Sequence, residues 1–141
     1  MAVKKKKKLK SIAKLVEEAA VILQRIVRLK AADGQGYVQC VTCGIQQPWQ
    51  DMQGGHFISR VFTAHKLLEE NINPQCPRCN GPLRGNQAAY TLFMVDTYGR
   101  EWVDELLATK SQTKKYLRYE IEEVIDDLKD RETNIRRLKG L

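Results

Sequence analysis

CVTCG at residues 40–44, GGHFISR at 54–60, ENINPQCPRCN at 70–80 and GPLRGN at 81–86 are the segments that decide the fold of this chain. They place two Cys-x-x-Cys pairs on either side of a histidine, with 32 residues between the pairs. One asparagine lies five residues before the second pair, and another follows it directly. This arrangement indicates a structural metal site with a candidate catalytic histidine beside it.

The cysteines predict a closed, structural zinc site. A glycine follows each pair within two residues, and such tight turns let backbone amides point at thiolate sulfurs. Two disulfides are one alternative, but no secretory signal is recognisable after the lysine run, so we expect a reducing, cytoplasmic setting. Two reduced pairs without metal are the other alternative. The four predicted zinc ligands are Cys40, Cys43, Cys76 and Cys79.

The basic charge is concentrated near the start of the chain. The 141 residues carry a net charge of +7, and residues 1–30 contain ten Lys or Arg but only two Glu. Consecutive lysines repel one another and cannot be buried, so residues 1–8 are predicted to form a disordered basic tail. Such a tail is attracted to DNA, although a nuclear signal is an alternative interpretation. The lysines concerned are Lys4, Lys5, Lys6, Lys7 and Lys8.

Helical patterns flank the cysteine-rich stretch. Apolar residues at helical spacing predict an N-terminal helix and linker over 9–36, with Ser11 assisting the start. A long C-terminal helix is predicted over 111–141, with Ser111 as its N-cap. The outer end of this helix has little left to pack on, so we expect a second copy of the chain to cover it.

The central region, residues 37–110, is predicted to be the zinc-bound core of an α+β chain that is mostly helical. A short strand is expected over 56–62 and a turn over 71–74, just before the second cysteine pair. Two helices, over 88–97 and 101–109, complete this region. No apolar run approaches membrane-spanning length, and we expect no membrane association.

His56, Asn71 and Asn80 form a candidate catalytic set. A histidine could accept a proton from water and so generate the nucleophile for phosphodiester cleavage. The amide oxygen of Asn80 could bind a hard cation such as Mg²⁺ or Mn²⁺, and Asn71 could brace the loop that orients the histidine. Taken singly, each asparagine is more typical of a turn or cap. His65 is expected at the surface, with an auxiliary ligand role as the alternative.

The order of His56, Asn71 and Asn80 beside a cysteine pair resembles the HNH nucleases, whose ββα-metal fold carries the first His on a hairpin strand. The segments quoted above, together with YGREWVDEL at 98–106, more closely resemble the NinG/Rap proteins of lambdoid phages. This resemblance covers roughly residues 37–130. It implies a structure-specific endonuclease for Holliday junctions and D-loops, in the cytoplasm of a bacterial host if the chain is phage-encoded. It also implies that His56 is the general base, Asn71 a bracing residue and Asn80 a metal ligand.

The chain departs from the HNH pattern at two points. Many such proteins have an acidic residue directly before the first histidine, whereas this chain has Gly55. Asp51 is a candidate replacement as metal ligand; alternatively, His56 itself binds the ion. The second departure is Pro82, which restricts the helix expected here to a start at or near that residue.

Two further interpretations remain open at this stage. A non-catalytic zinc module could bind branched DNA, a recombinase or a single-strand annealing protein, and the missing acidic residue favours this alternative. A zinc-ribbon translation or transcription factor is the other, but it leaves the GGH segment unexplained. We favour the nuclease, with DNA contacts from the tail and from three arginines: Arg60, Arg78 and Arg84.

Overall fold

The computed structural model describes residues 3–4 and 8–141. The chain has a mixed α+β structure, mostly helical, with two small sheets. Its elements are α1 (Ile12–Ala31), β1 (Tyr37–Gln39), β2 (Gln46–Pro48), β3 (Gln53–His56), a single 3₁₀ turn (Glu69–Asn71), β4 (Ile72–Gln75), α2 (Pro77–Asn80), α3 (Gln87–Tyr98), α4 (Arg100–Ala108) and α5 (Arg118–Lys139). The predicted disorder of the tail, and the DNA contacts of Lys5, Lys6 and Lys7, lie outside the described residues, whereas Lys4 and Lys8 are exposed.

Helix α1 begins as its sequence predicts. The Ser11 hydroxyl accepts a hydrogen bond from the Lys14 amide at 3.2 Å, which satisfies one of the donors left free at a helix start. The apolar stripe of α1 faces the interior, where it is buried against α5 and β4. Leu9 and Ile12 at its start remain exposed. Helix α1 therefore supports α5 and the β3–β4 hairpin.

Two antiparallel hairpins carry the cysteine-rich stretch. Strand β1 pairs with β2, and β3 pairs with β4 so that His56 lies opposite Ile72. The predicted strand over 56–62 is wrong, because β3 ends at His56 and the backbone of Ile58 bonds to the side chain of Asn71 instead of to a strand. The predicted turn over 71–74 is also wrong, because residues from Ile72 onward belong to β4.

Helices α2, α3 and α4 follow β4 and precede the long α5. The short α2 begins at Pro77, whose missing amide hydrogen suits a first helical turn, and it ends at Asn80. The expectation of a helix starting at or near Pro82 is wrong, because residues 81–86 form turns and α3 begins at Gln87. Gly99 separates α3 from α4 with a positive φ of 88°, as the predicted break requires.

The last helix starts later than its sequence suggests. Ser111 does not cap it; α5 begins at Arg118, and the segment before it runs along the loop after β3, where the Lys114 amide donates to the Thr63 hydroxyl at 2.9 Å. The apolar face of α5 is buried on α1. Near the outer end of α5 the exposed Leu138 is left uncovered, and the dimer stays a prediction.

Helices α1 and α5 lie parallel to each other. Near their starts, Arg118 donates to the Lys10 carbonyl at 2.8 Å, and near their ends, the Lys139 ammonium donates to the carbonyls of Lys30 and Ala32. A second core lies around Trp49 and the cysteines, and a third packs Phe57 and Ile58 against α3 and α4. None of the described helices is long and apolar enough to span a membrane.

Candidate functional site

The four cysteines converge, as their spacing predicts. Their sulfur atoms all lie within 4.8 Å of one another, and the sulfurs of Cys43 and Cys76 are 3.7 Å apart. Four thiolates around a tetrahedral zinc, with Zn–S bonds of about 2.3 Å, are separated by about 3.8 Å. Among residues 3–4 and 8–141, this is the one group of three or more His, Cys, Asp or Glu side chains that could hold a metal. The donor set suits a metal such as zinc.

Tight turns aim donors at the sulfur atoms. Gly44 has a φ of +81° and closes the first turn by donating its amide to the Cys40 carbonyl at 2.9 Å. In the second pair, the Cys79 amide donates to the sulfur of Cys76 at 3.4 Å. Burial opposes ionisation of Cys40, but hydrogen bonds to its sulfur from the Thr42 hydroxyl and nearby amides lower its pKa to about 6. These contacts favour the thiolate form of Cys40 at neutral pH, whereas burial raises the pKa of Cys76, and burial and the neighbouring thiols raise that of Cys43.

The metal site joins the two hairpins. Cys40 and Cys43 belong to the connection between β1 and β2, whereas Cys76 directly follows β4 and Cys79 lies in α2. The Val41 amide also donates to the Pro74 carbonyl at 3.0 Å, so the hairpins are linked by backbone as well as by the cysteines. The position of α2 and of the turns after it is therefore coupled to the metal site.

A basic groove of about 540 Å³ lies beside the cysteine cluster. It is lined by residues of α1, β3, α2 and the turns after α2, and no Asp or Glu is among them. Its charged side chains are three arginines, and its other polar side chains include His56, Asn80 and several glutamines. A groove with this lining favours a polyanion over a cation. The lining residues are Gln24, Arg28, Met52, Gln53, Gly54, His56, Ser59, Arg60, Asn80, Arg84, Gly85 and Gln87.

His56 enters this groove from the end of β3 with one ring nitrogen already bonded. Its Nε2 lies 2.9 Å from the carbonyl oxygen of Lys66, and because a carbonyl only accepts, Nε2 carries the proton. The other ring nitrogen, Nδ1, then has a free lone pair. Burial lowers the pKa of His56, and the nearby cations Arg60 and Lys66 lower it further. The ring is thus neutral at pH 7 and able to accept a proton or bind a metal.

The carbonyl that holds His56 is itself anchored on α1. The Lys66 side chain forms an ion pair with Glu17, and this ion pair is the largest cause of the lowered pKa of Glu17. Lys66 is largely buried, so its backbone is held where it meets the imidazole. Sequence reasoning missed both residues, because Glu17 lies 49 residues before Lys66 and no motif connects them.

Asn71 lies behind His56 and not in the groove. Its side chain is buried, accepts the Ile58 amide at 2.7 Å and donates to the carbonyls of Ile58 and His65, each at 3.1 Å. These bonds hold together the two ends of the loop that runs from β3 to β4. Asn71 thus organises this loop, and its contribution to a reaction stays a prediction.

Asn80, the last residue of α2, lines the groove with His56. Its Nδ2 donates to the side-chain oxygen of Gln53 at 2.7 Å. This bond fixes the orientation of the amide and leaves its oxygen, Oδ1, as the atom available to a ligand. The structure thus brings together two members of the predicted catalytic set, with the third supporting one of them from behind.

Gly55 and Asp51 do not supply a carboxylate to the groove. A Cβ atom at position 55 would lie 1.9 Å from the side-chain oxygen of Gln75, and one at position 54 would lie 2.7 Å from Gln24 on α1. The two glycines therefore permit close packing of β3 against its neighbours and do not simply leave space for a phosphate. Asp51 is exposed, and it is not among the residues that line the groove.

Arg28 is a groove residue of α1 that no sequence motif indicates. Its guanidinium donates to the Met52 carbonyl at 2.8 Å and to the Trp49 carbonyl at 3.3 Å. Its Nε donates to the Gln24 carbonyl within α1 at 3.0 Å. These bonds orient the side chain before any ligand arrives. Helical spacing could place Arg28 on α1 but could not show that the loop before β3 folds over it.

Of the arginines predicted to contact DNA, two line the groove and one does not. Arg60 and Arg84 line the groove, and Arg84 does so from a backbone with a positive φ of 51°. Arg78 is exposed on α2 but does not line the groove, and His65 Nε2 instead lies 2.9 Å from the Thr109 hydroxyl. Three aromatic side chains of the central region are buried in the cores and do not present their rings to a ligand: Trp49, Phe57 and Tyr90.

Comparison with known proteins gives one family. The family model described as "NinG: Bacteriophage Lambda NinG protein" matches residues 1–140. Protein ninG of Escherichia phage lambda is 23% identical to this chain over 121 residues, which make up 82% of this chain and 57% of that protein. The chain thus spans little more than half the length of the curated relative it matches. No solved structure matches the chain.

Proposed function

The chain belongs to the NinG family, and from this premise we propose that it is a metal-dependent DNA endonuclease that cuts branched recombination intermediates such as Holliday junctions and D-loops. The observation that carries the proposal is the groove in which His56 and Asn80 meet three arginines and no acidic residue. The order β3, β4, α2, with His56 ending β3 and Asn80 ending α2, supports an HNH-like ββα arrangement.

His56 is the general base in this proposal. Its Nε2 proton is held by the Lys66 carbonyl, so Nδ1 accepts the proton of the attacking water. Because burial keeps the imidazole neutral, it is ready to act at neutral pH. Asn71 maintains the loop that carries the Lys66 carbonyl, and it contributes to the reaction through the position of His56.

The groove lining offers a divalent ion one candidate ligand, an amide oxygen, so the ion would have to be shared with the substrate. Asn80 Oδ1 would hold Mg²⁺ or Mn²⁺, and DNA phosphate oxygens would supply the anionic ligands that the groove lining lacks. The ion, when bound, polarises the scissile phosphate and stabilises the leaving oxygen. Asp51 is not included, because it lies outside the lining.

The arginines supply affinity for the DNA backbone. Arg28, Arg60 and Arg84 contact phosphates in the groove, and the lysine tail adds attraction that does not depend on sequence. Arg28 is the most restrained of the three, since two loop carbonyls fix its guanidinium. It would therefore position a phosphate with little loss of side-chain entropy.

Cleavage of a synthetic four-way junction in Mg²⁺ or Mn²⁺ tests the proposal. We expect His56→Ala to bind the junction like the wild type and to cut it about 10²- to 10⁴-fold more slowly. His65→Ala is the matched control, because that histidine contacts Thr109 and not the groove. Equal cutting by wild type and His56→Ala would contradict the assignment of the base.

A non-catalytic zinc module that binds branched DNA or a recombinase is the second candidate. It is favoured by the lack of any carboxylate in the groove lining, since Mg²⁺ sites usually include one or two carboxylates. Tight junction binding by the zinc-loaded wild type, without cutting in either Mg²⁺ or Mn²⁺, would select this second function.

A further inference from the structure

Two apolar side chains project from the loop at the edge of the basic groove. Val61 is 80% exposed and Phe62 is 37% exposed, although both are large hydrophobic residues. They directly follow Ser59 and Arg60, which line the groove. We call Val61 and Phe62 the apolar tip. Its exposure leaves apolar surface in water, and its position places that surface beside the site proposed for phosphates.

The loop that carries the apolar tip is fastened at several points. The Phe62 amide donates to the Ser59 carbonyl at 3.0 Å and closes a turn, and the next residue, Thr63, accepts the Lys114 amide at 2.9 Å. Further along, His65 bonds to Thr109 at 2.9 Å. The tip is therefore presented by an organised loop, which lowers the entropy lost on binding.

Basic residues surround the apolar tip. The Lys110 ammonium lies 5.9 Å from the centre of the Phe62 ring, and Lys114 belongs to the segment that fastens the loop. Neither residues 57–68 nor residues 109–118 contain an Asp or Glu, whereas the two segments together hold six Lys or Arg. A partner that covers this surface must be a polyanion that also offers apolar faces.

Unstacked DNA bases meet both requirements. In a continuous duplex the base faces are covered by their neighbours, whereas at a branch point the stack is interrupted and a side chain can enter it. The phosphates around the branch match the lysines and the groove arginines.

We propose that the apolar tip inserts against unstacked bases at a DNA branch point while the groove holds the adjacent phosphates. The inference rests on the proposed function, because it places the branch next to the groove. It assigns structure selectivity to Val61 and Phe62 and leaves phosphate affinity to the arginines.

The test uses a four-way junction with 2-aminopurine at the branch point and a linear duplex of the same sequence, without Mg²⁺ or Mn²⁺ so that binding is measured apart from cutting. The wild type should raise 2-aminopurine fluorescence in the junction and bind it more tightly than the duplex. Val61→Ser and Phe62→Ser should each lower junction affinity by about tenfold, leave duplex affinity unchanged and reduce the fluorescence rise. Leu92→Ser, at a leucine of α3 that is 66% exposed, is the matched control and should change neither quantity.

The proposal is overturned if both serine variants keep the junction preference, or if the wild-type complex shows no fluorescence rise. Binding to phosphatidylglycerol vesicles that depends on Val61, with junction affinity unaffected, would also overturn it by assigning the tip to a membrane surface. A wild type that raises fluorescence but cuts no junction when Mn²⁺ is added would support the tip and refute the nuclease.

Discussion

At the scale of single residues, Gly55 determines how β3 packs under the groove. The side chain of Gln75 occupies the space where a Cβ at this position would lie, and Gln75 is held there by donating to the Gly85 carbonyl at 2.8 Å. The Gly55 carbonyl in turn accepts the Tyr90 hydroxyl at 2.6 Å. Any side chain at position 55, acidic or not, would displace this packing directly before His56.

Gly55→Ala should therefore destabilise the protein. Overpacking of a closed interior typically costs about 1–3 kcal/mol, and here the added methyl meets the oxygen of a buried side-chain amide whose nitrogen donates to the Gly85 carbonyl and the Thr42 hydroxyl. Urea denaturation measures the change. Gly34→Ala is the control, because nothing lies within 4 Å of a Cβ at that position, and it should be neutral or slightly stabilising. If Gly55→Ala and Gly34→Ala had the same midpoint of urea unfolding, this account of Gly55 would be refuted.

The pH dependence of the cleavage rate should show the lowered pKa of His56. Burial lowers its pKa from the ordinary value of 6.5, and only the neutral ring can accept a proton. The cleavage rate should rise with pH and level off with a midpoint below 6.5. The same shift implies that stability falls as pH drops below 6.5, because the unfolded chain then binds the proton more readily. A rate profile with a midpoint above 6.5 would contradict the proposed role.

At the scale of elements, local signals predicted the helices well and the strands poorly. Ser11 and Gly99 mark helix boundaries through their own chemistry, so α1 and the break between α3 and α4 could be foreseen. Strand β4 contains Asn73 and Pro74, residue types that are typical of turns, and only its pairing with β3 makes it a strand. The start of α5 depends on the Lys114 contact with Thr63, which joins positions 51 residues apart.

The candidate site also divides into features that local sequence predicts and features that depend on long-range contacts. Spacing predicted the cysteine cluster, and the motif pointed to His56 and Asn80. Arg28 and the Lys66–Glu17 ion pair were not predictable, because each depends on how α1 meets loops distant in sequence.

Metal removal should act on the groove through α2. Because Cys79 is followed directly by Asn80, loss of the metal should release both the candidate ligand and the turn that carries Arg84. We expect elemental analysis to find one zinc per chain, and Cys76→Ser to lose it together with junction binding. Ser59→Ala, in the groove but outside the cysteine cluster, should keep its zinc. Full zinc content in Cys76→Ser would refute a four-cysteine site.

At the scale of the whole molecule, positive charge is distributed in two places that act differently. The lysine tail precedes α1 in the sequence, whereas the arginines converge in the groove from α1, the loop after β3 and the turn after α2. In the proposed complex the tail would add attraction that does not depend on sequence, and the groove would restrict where a phosphate lies.

Salt dependence of DNA binding separates the groove from other basic surfaces. Each phosphate neutralised contributes about −0.9 to the slope of log K against log salt, so Arg84→Ala should make the slope about one unit shallower. Arg78→Ala is the matched comparison, because this exposed arginine on α2 does not line the groove. If Arg78→Ala changed the salt slope and Arg84→Ala did not, the DNA would have to bind the outer face of α2 and not the groove.

The parallel packing of α1 and α5 also affects when the chain can finish folding. The ion pair of Arg25 with Glu132 joins residues 107 positions apart, a separation that the ribosome covers in on the order of 5–20 s. Until α5 emerges, the apolar stripe of α1 has no covering helix on that side. We therefore expect the nascent chain to be a chaperone client, with maturation of its groove completed late in synthesis.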